Sequence, residues 1–390
     1  MKLCILGRQP ALSLAELEAQ VGAAAITRLS PTTALVDDTA HTLEQARLGG
    51  TLKIGEVIAQ LADAKPDQGF DAAREWLSGH VADLPEGKIS LGISAYGTLS
   101  NIPVAMLQKR AFSLKKIAKA AGRSVRVVPN KTAELNTAQV LHNRLTDARN
   151  IELLMVSYKG TLVVARTISV QNIDEYSDRD YGRPKRSGFV GMLPPKLAQM
   201  MLHFAQTQPG DVVLDPFCGT GVVLQEAILL GCKVYGTDIE QKMIDFSRTN
   251  LEWLREKYHL TDVAIKLDPG DAQTLQWTPP LDRVVCETYL GQPLTSVPSS
   301  EKLQEIMHGC NQITTGFLKN LQPQLTPGTR LCVAIPAWFV QNRFHHLPVI
   351  DQLEELGYNR ISFEHASDQD LIYHRHDQIV ARELLVLTRK

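Results

Sequence analysis

Apolar positions follow two rhythms along this chain: short runs of strand period and longer stretches of helical period. Lys2 to Leu6 reads as a strand. A helix start follows, where Ser13 and Glu16 are expected to form a capping box and Leu12 with Leu17 a hydrophobic staple. Leu14, Leu17 and Val21 share one face, and Gly22 supplies the stop. Ala34-Leu35-Val36, a helix near Thr42 to Leu48 and a strand near Lys53 to Leu61 complete a small α/β unit, ending around Ala64-Lys65-Pro66-Asp67. The second segment predicts a helix around Ala72 to Leu77, a strand at Ile89 to Ser94 and a long basic helix near Val104 to Ala121 that Gly122 stops. A strand at Ser124 to Val128, a helix from Thr137 to Leu145 and a hairpin of Ile151 to Ser157 with Leu162 to Thr167, turning at Gly160, close it.

Val170 to Gly191 carries no periodicity and reads as a charged linker. From Leu193 onward, strands near Asp211–Asp215, Lys233–Thr237, Val263–Leu267, Arg283–Cys286 and Arg330–Ile335 alternate with helices, the pattern of a parallel sheet covered on both faces. Ile379 to Leu387 reads as a late antiparallel strand at the sheet edge.

Composition adds bounds. At roughly 150 residues per domain, 390 residues predict two or three domains. No apolar run reaches the ~20 residues of a membrane span. The N-terminal Met1 to Gly7 meets Pro10 and charge too soon for a signal peptide, so a cytoplasmic protein is expected. Six scattered cysteines form no C-x-x-C pair, which argues against a zinc site or a disulfide framework; no metal is expected. The net charge of −1 is unremarkable, but its distribution is not. No acidic residue lies between Glu86 and Glu134, a stretch holding Lys109, Arg110, Lys115, Lys116, Lys119, Arg123 and Arg126. Such a one-sign segment is a candidate phosphate-binding face, the bland alternative being a solvated helix surface.

Candidate chemistry gathers at three strand ends. Val212-Val213-Leu214 runs into Asp215-Pro216-Phe217-Cys218-Gly219-Thr220-Gly221 and then a helix, a strand–turn–helix context in which glycines let the backbone approach a ligand. Asp238 ends the next strand about 20 residues on, where a carboxylate can hold ribose hydroxyls; nicotinamide cofactors fit this placement equally well. Asp271-Ala272 follows the third strand. In class I methyltransferases an acid here receives the adenine amine.

The Asp215 to Gly221 motif resembles that of N-methyltransferases acting on exocyclic amines of nucleobases. Three stretches resemble the THUMP-containing tRNA methyltransferases, whose nearest members methylate guanosine-10 at N2: Gln9-Pro10-Ala11-Leu12-Ser13, Arg179-Asp180-Tyr181-Gly182-Arg183-Pro184, and Gly191-Met192-Leu193-Pro194-Pro195-Lys196-Leu197-Ala198. The resemblance implies a ferredoxin-like α/β unit over 1–65, a THUMP-like RNA-binding domain over 66–169, a linker over 170–191 and a Rossmann-like class I methyltransferase domain over 192–390. It implies S-adenosyl-L-methionine held by Asp215, Phe217, Gly219, Thr220, Gly221, Asp238, Ile239, Asp271 and Ala272. It also implies tRNA, or another structured RNA, held by the basic residues above, with Arg183 and Lys185 added. Some relatives need a small activating subunit, and that alternative stays open.

One departure stands out. The family has Asp-Pro-Pro-Tyr after the fourth strand, whereas this chain has Glu287-Thr288-Tyr289-Leu290. Glu287 is the expected amine acceptor and Tyr289 the expected wall for the target base. The departure keeps other readings in play: another base or RNA as target, thiolate chemistry at Cys286 on a pyrimidine, and an inactive RNA-binding protein that retains the fold. A DNA amino-methyltransferase would not explain the N-terminal half, and a nicotinamide oxidoreductase lacks its usual G-x-G-x-x-G.

Overall fold

The computed structural model describes residues 1–37, 43–186, 192–294, 296–375 and 377–390. Two compact units make up the chain, Met1–Glu175 and Tyr176–Lys390.

The first unit runs β1 (Lys2–Leu6), α1 (Pro10–Val21), β2 (Ile26–Ser30), β3 (Thr33–Val36), β4 (Thr51–Leu61), α2 (Pro66–His80), β5 (Ile89–Gly97), α3 (Val104–Ala120), β6 (Val125–Val127), α4 (Thr137–His142), β7 (Ile151–Tyr158) and β8 (Thr161–Val170). Its strands form one sheet in the order β2-β3-β1-β4-β8-β7-β5-β6. The segments expected on either side of residue 65 therefore share a sheet, joined by the antiparallel β4–β8 pair. Alternation along β7 sorts its side chains: Leu153 and Met155 pack with Phe70, Leu77, Leu107 and Leu114 of α2 and α3, while Leu154 and Val156 join Leu3 and Ile5 on the other face.

Two sequence expectations are corrected here. Helix α1 starts at Pro10, so Ser13 and Glu16 lie inside it, and no capping box or staple forms. Ser13 Oγ donates to the Gly50 carbonyl at 2.8 Å, and the buried Glu16 carboxylate accepts the N–H groups of Gly49 and Gly50 at 2.9 and 2.7 Å. The pair binds a tight backbone approach instead of capping its own helix. Of the helix expected from Thr42 to Leu48, Thr42 lies outside the described residues, and Gln45–Arg47 forms only a single 3-10 turn.

Beyond β8, α5 (Ile173–Ser177) and a helical turn over Asp178–Gly182 replace the aperiodic stretch read there. Arg179 accounts for this order: it is buried and its Nε donates to Glu226 at 2.6 Å. Residues 187–191, including Gly191 of the quoted motif, lie outside the described residues.

The second unit contains α6 (Pro195–Phe204), β9 (Val212–Asp215), α7 (Val222–Leu229), β10 (Lys233–Asp238), α8 (Gln241–Lys257), β11 (Ile265–Pro269), β12 (Arg283–Glu287), α9 (Ser300–Leu321), β13 (Arg330–Val340), β14 (Arg343–His345), β15 (Tyr358–Arg360), β16 (Ile372–Tyr373) and β17 (Val380–Arg389). Strand order is β11-β10-β9-β12-β13-β17-β15, with β11, β10, β9, β12 and β13 parallel to one another. Strand β17 is antiparallel as expected, but it lies inside the sheet, paired with both β13 and β15. Its run of fully buried residues, Leu384 to Leu387, fits that interior position.

Candidate active site

From β9 the chain runs outward through β10 to the edge strand β11 and then crosses back to β12 on the other side of β9, so a crevice opens at the C-terminal ends of β9 and β12. Asp215 ends β9. The turn after it holds Gly219 and Gly221 at φ of +51° and +81°. A side chain at Gly221 would bring its Cβ within 2.9 Å of Ser247 Oγ, so this glycine shapes the turn. Backbone groups knit three strand ends together. The Cys218 N–H donates to the Thr237 carbonyl at 2.9 Å, and the Gly270 N–H to the Asp238 carbonyl at 2.8 Å. Asp238 accepts the Gly219 N–H on Oδ2 at 2.9 Å and the Glu240 N–H on Oδ1 at 3.0 Å. Asp271 Oδ1 accepts the Gln273 N–H at 2.9 Å and so caps the turn after β11.

These ends enclose a cleft of about 350 Å³. Asp215, Phe217, Gly219, Thr220, Asp238, Ile239, Asp271, Ala272, Glu287 and Tyr289 all line it, while Gly221 does not. Phe217 is held edge-on against Phe317, ring centroids 5.1 Å apart, and Ile239 presents an exposed apolar side chain. Met192, Gln273 and Ile313 also line the wall; Met192 belongs to a quoted motif, but none of the three was named as a site residue.

Charge in the cleft is one-sided. Burial, then the neighbouring Asp238 and Glu287 charges, push the Asp215 carboxyl well above the usual range, although it accepts the Phe217 N–H at 3.1 Å. Burial also raises Asp238, its two backbone donors opposing. Burial raises Glu287, and here Arg382 opposes, its Nε donating to Glu287 Oε1. A cationic ligand with paired hydroxyls and a flat apolar part would complement this wall.

Nothing in the sequence signalled Arg382, which reaches Glu287 from β17. Thr288, named above only as part of the departure, donates its N–H to the Ala334 carbonyl at 2.9 Å, a bond that a proline at this position could not make. Cys286 is fully buried in the sheet and absent from the cleft wall, and burial holds its thiol well above the usual range. That environment is unsuited to thiolate attack.

The basic residues of the first unit divide. In α3 the buried positions are Leu107, Ala111, Leu114 and Ala118, which leaves Lys109, Lys116 and Lys119 on the opposite, exposed face beside the half-exposed Phe112. Lys115 flanks that face, its Nζ 5.9 Å from the Phe112 ring. Arg110 pairs with Asp67. Arg123 donates to the carbonyls of Val81, Leu84 and Pro85, and Arg126 to Asn143, so both spend donors on their own fold. In the second unit, Arg183 is buried and Lys185 is exposed.

Comparisons with known proteins fit this geometry. Residues 183–337 match a family model described as RMKL-like, methyltransferase domain, and residues 116–249 match one described as DNA methylase. The tRNA (guanine(10)-N2)-dimethyltransferase of Methanothermobacter thermautotrophicus is 30% identical over 176 residues, 45% of this chain and 47% of that protein. Its namesake from Methanocaldococcus jannaschii is 39% identical over 117 residues, 29% and 32% of the two chains. The chain thus spans less than half the length of these curated relatives. TrmN from Thermus thermophilus superposes with a TM-score of 0.54 at 18% identity, covering 100% of this chain and 99% of that one. SMU.472 complexed with SAH gives 0.51 at 10% identity over 98% and 97%. Tyr176–Lys390 therefore has the Rossmann-like class I methyltransferase fold, and it is over residues 183–337 that the chain resembles the RMKL-like methyltransferase domain.

Proposed function

We propose that this protein is an S-adenosylmethionine-dependent tRNA methyltransferase that modifies the N2 amine of a guanosine. The observation that carries the reading is the convergence of Asp215, Asp238, Asp271 and Glu287 on one cleft at the switch point of a methyltransferase sheet. Asp238 would take the ribose hydroxyls, Asp271 the adenine amine and Asp215 the amino-acid ammonium, with Phe217 and Ile239 as apolar walls. When bound, S-adenosylmethionine supplies an electrophilic methyl group on its sulfonium. Glu287 accepts an N–H of the target amine and aims its nitrogen into the cleft, while Tyr289 bounds the base. Such alignment supplies much of the rate. The cationic amine that alkylation would leave is a far stronger acid than a carboxylic acid, so the Glu287 carboxylate is base enough to take its proton.

Residues 66–169 act as a THUMP-like RNA-binding domain, with Lys109, Lys116 and Lys119 on the phosphates. The test is nucleoside mass spectrometry of tRNA incubated with the protein and methyl-labelled cofactor. N2-methylguanosine is expected, and Glu287→Gln should lower turnover by roughly 10²-fold, the size of a lost general acid–base contribution. Label in another nucleoside would name another target, and label in none would leave an RNA-binding protein.

A further inference from the structure

Glu287 stands where the related tetrapeptide has a shorter aspartate, and its carboxylate is not left to itself. Arg382 reaches it from β17, and both side chains are nearly enclosed, 6% and 10% exposed. Arg382 Nε donates to Oε1, while its Nη2 points to the Met192 carbonyl at 3.5 Å. The strand register fixes where this arginine stands: Arg382 pairs with Pro336 of β13 on one side and Tyr373 of β16 on the other.

We infer that Arg382 is a positioning residue for the acceptor: it clamps Oε1 and leaves the second carboxylate oxygen of Glu287 turned to the cleft for the incoming amine. The inference rests on the reading of Glu287 as amine acceptor. The guanidinium also offsets an otherwise anionic surrounding. Asp215 faces Glu287 from β9 and Cys286 precedes it on β12; Ala334, its partner on β13, carries no charge, and from β16 comes only Tyr373, behind Arg382. Without Arg382, the burial that already raises the Glu287 carboxyl would act unopposed and push it further up. A protonated carboxyl accepts an N–H more weakly, presents a donor on one oxygen and can take no further proton from the amine.

The sign follows. The ionised, accepting form exists above the Glu287 pKa and disappears as pH falls through it, so loss of Arg382 moves the acid limb of the rate profile upward.

Arg382→Met, Arg382→Lys and Glu287→Gln in the full chain give the test. With Arg382→Met, turnover should fall at least tenfold at pH 7, with most of it recovered by pH 9. Affinity for S-adenosylhomocysteine should stay within threefold, and Arg382→Lys, which keeps the charge, should restore most of the neutral-pH rate. A readout independent of turnover is infrared spectroscopy. Arg382→Met should show a protonated-carboxyl band at pH 7 that vanishes when Glu287→Gln is added. If Arg382→Met shows no such band and keeps the wild-type pH profile while Glu287→Gln is inactive, the role of Arg382 is overturned and the acceptor reading stands. A band together with an active Glu287→Gln protein overturns both, since the group that Arg382 holds would not be the acceptor. A loss equal at every pH that lysine does not rescue makes Arg382 merely structural.

Discussion

Replacing Asp238 with alanine separates ligand binding from fold. Its carboxylate lines the cleft and holds the N–H groups of Gly219 and Glu240. The alanine protein loses the proposed acceptor for the ribose hydroxyls and frees the Gly219 N–H at the glycine turn. A hydrogen bond to a charged group is worth about 1.5–3 kcal/mol, which corresponds to a roughly 10- to 150-fold rise in Kd. Stability should change less. Two backbone bonds, each about 0.5–1.5 kcal/mol, are lost where water can replace them, and the burial penalty that raises this carboxyl disappears with it. Calorimetric titration with S-adenosylhomocysteine, beside a thermal melt, measures both. Asp268→Ala is the control: this carboxylate sits on β11, accepts the Tyr235 hydroxyl at 2.9 Å and is absent from the cleft wall, so its loss should leave affinity unchanged. Because the Asp238 carboxyl titrates above the usual range, wild-type affinity should also decline as pH falls from 7 toward 5. An unchanged Kd in the folded alanine protein would refute the assignment.

Two further outcomes are expected. Burial lifts the Asp215 carboxyl above its unfolded value, so the folded state binds that proton more tightly and stability falls as pH rises through the window above the ordinary aspartate range. Asp215→Asn should therefore raise the melting midpoint at neutral pH by a few degrees, about 2–4 °C per kcal/mol for a domain of this size, with a smaller gain in acid; an unchanged or lower midpoint would contradict the burial argument. Lys109→Glu with Lys116→Glu should weaken tRNA binding and flatten its salt dependence without moving cofactor affinity, whereas binding indifferent to the pair would leave α3 a solvated face.

Local grammar made much of the site legible. A buried strand, a glycine turn and an acid at the next strand end are consecutive in sequence, and Asp215, Asp238 and Asp271 meet because parallel strands deliver their C-terminal ends to one edge. Interactions across long separations stayed hidden. Ser13 and Glu16 have capping-box spacing, but Pro10 starts the helix earlier and Gly49-Gly50 takes their polar atoms. Counting positive charges could not reveal that Arg123 faces three carbonyls of its own fold while Lys109 faces solvent. The run at β17 announced a strand but not its insertion between β13 and β15, because pairing partners leave no mark on a single strand's pattern.

That insertion also gives the site an order of assembly. Glu287 and its arginine lie 95 residues apart, and a ribosome adding roughly 5–20 residues per second needs about 5–20 s to cover that distance. Over this interval a nascent chain already owns β9, β10 and β11, with all three cleft-lining aspartates, while β13 still offers an unpaired edge and the Glu287 carboxylate lacks its arginine partner. Docking of β17 seals the edge and supplies the guanidinium in one event. On the proposed reading, a growing chain would thus assemble its cofactor wall before its acceptor, and methyl transfer would wait for the arrival of β17.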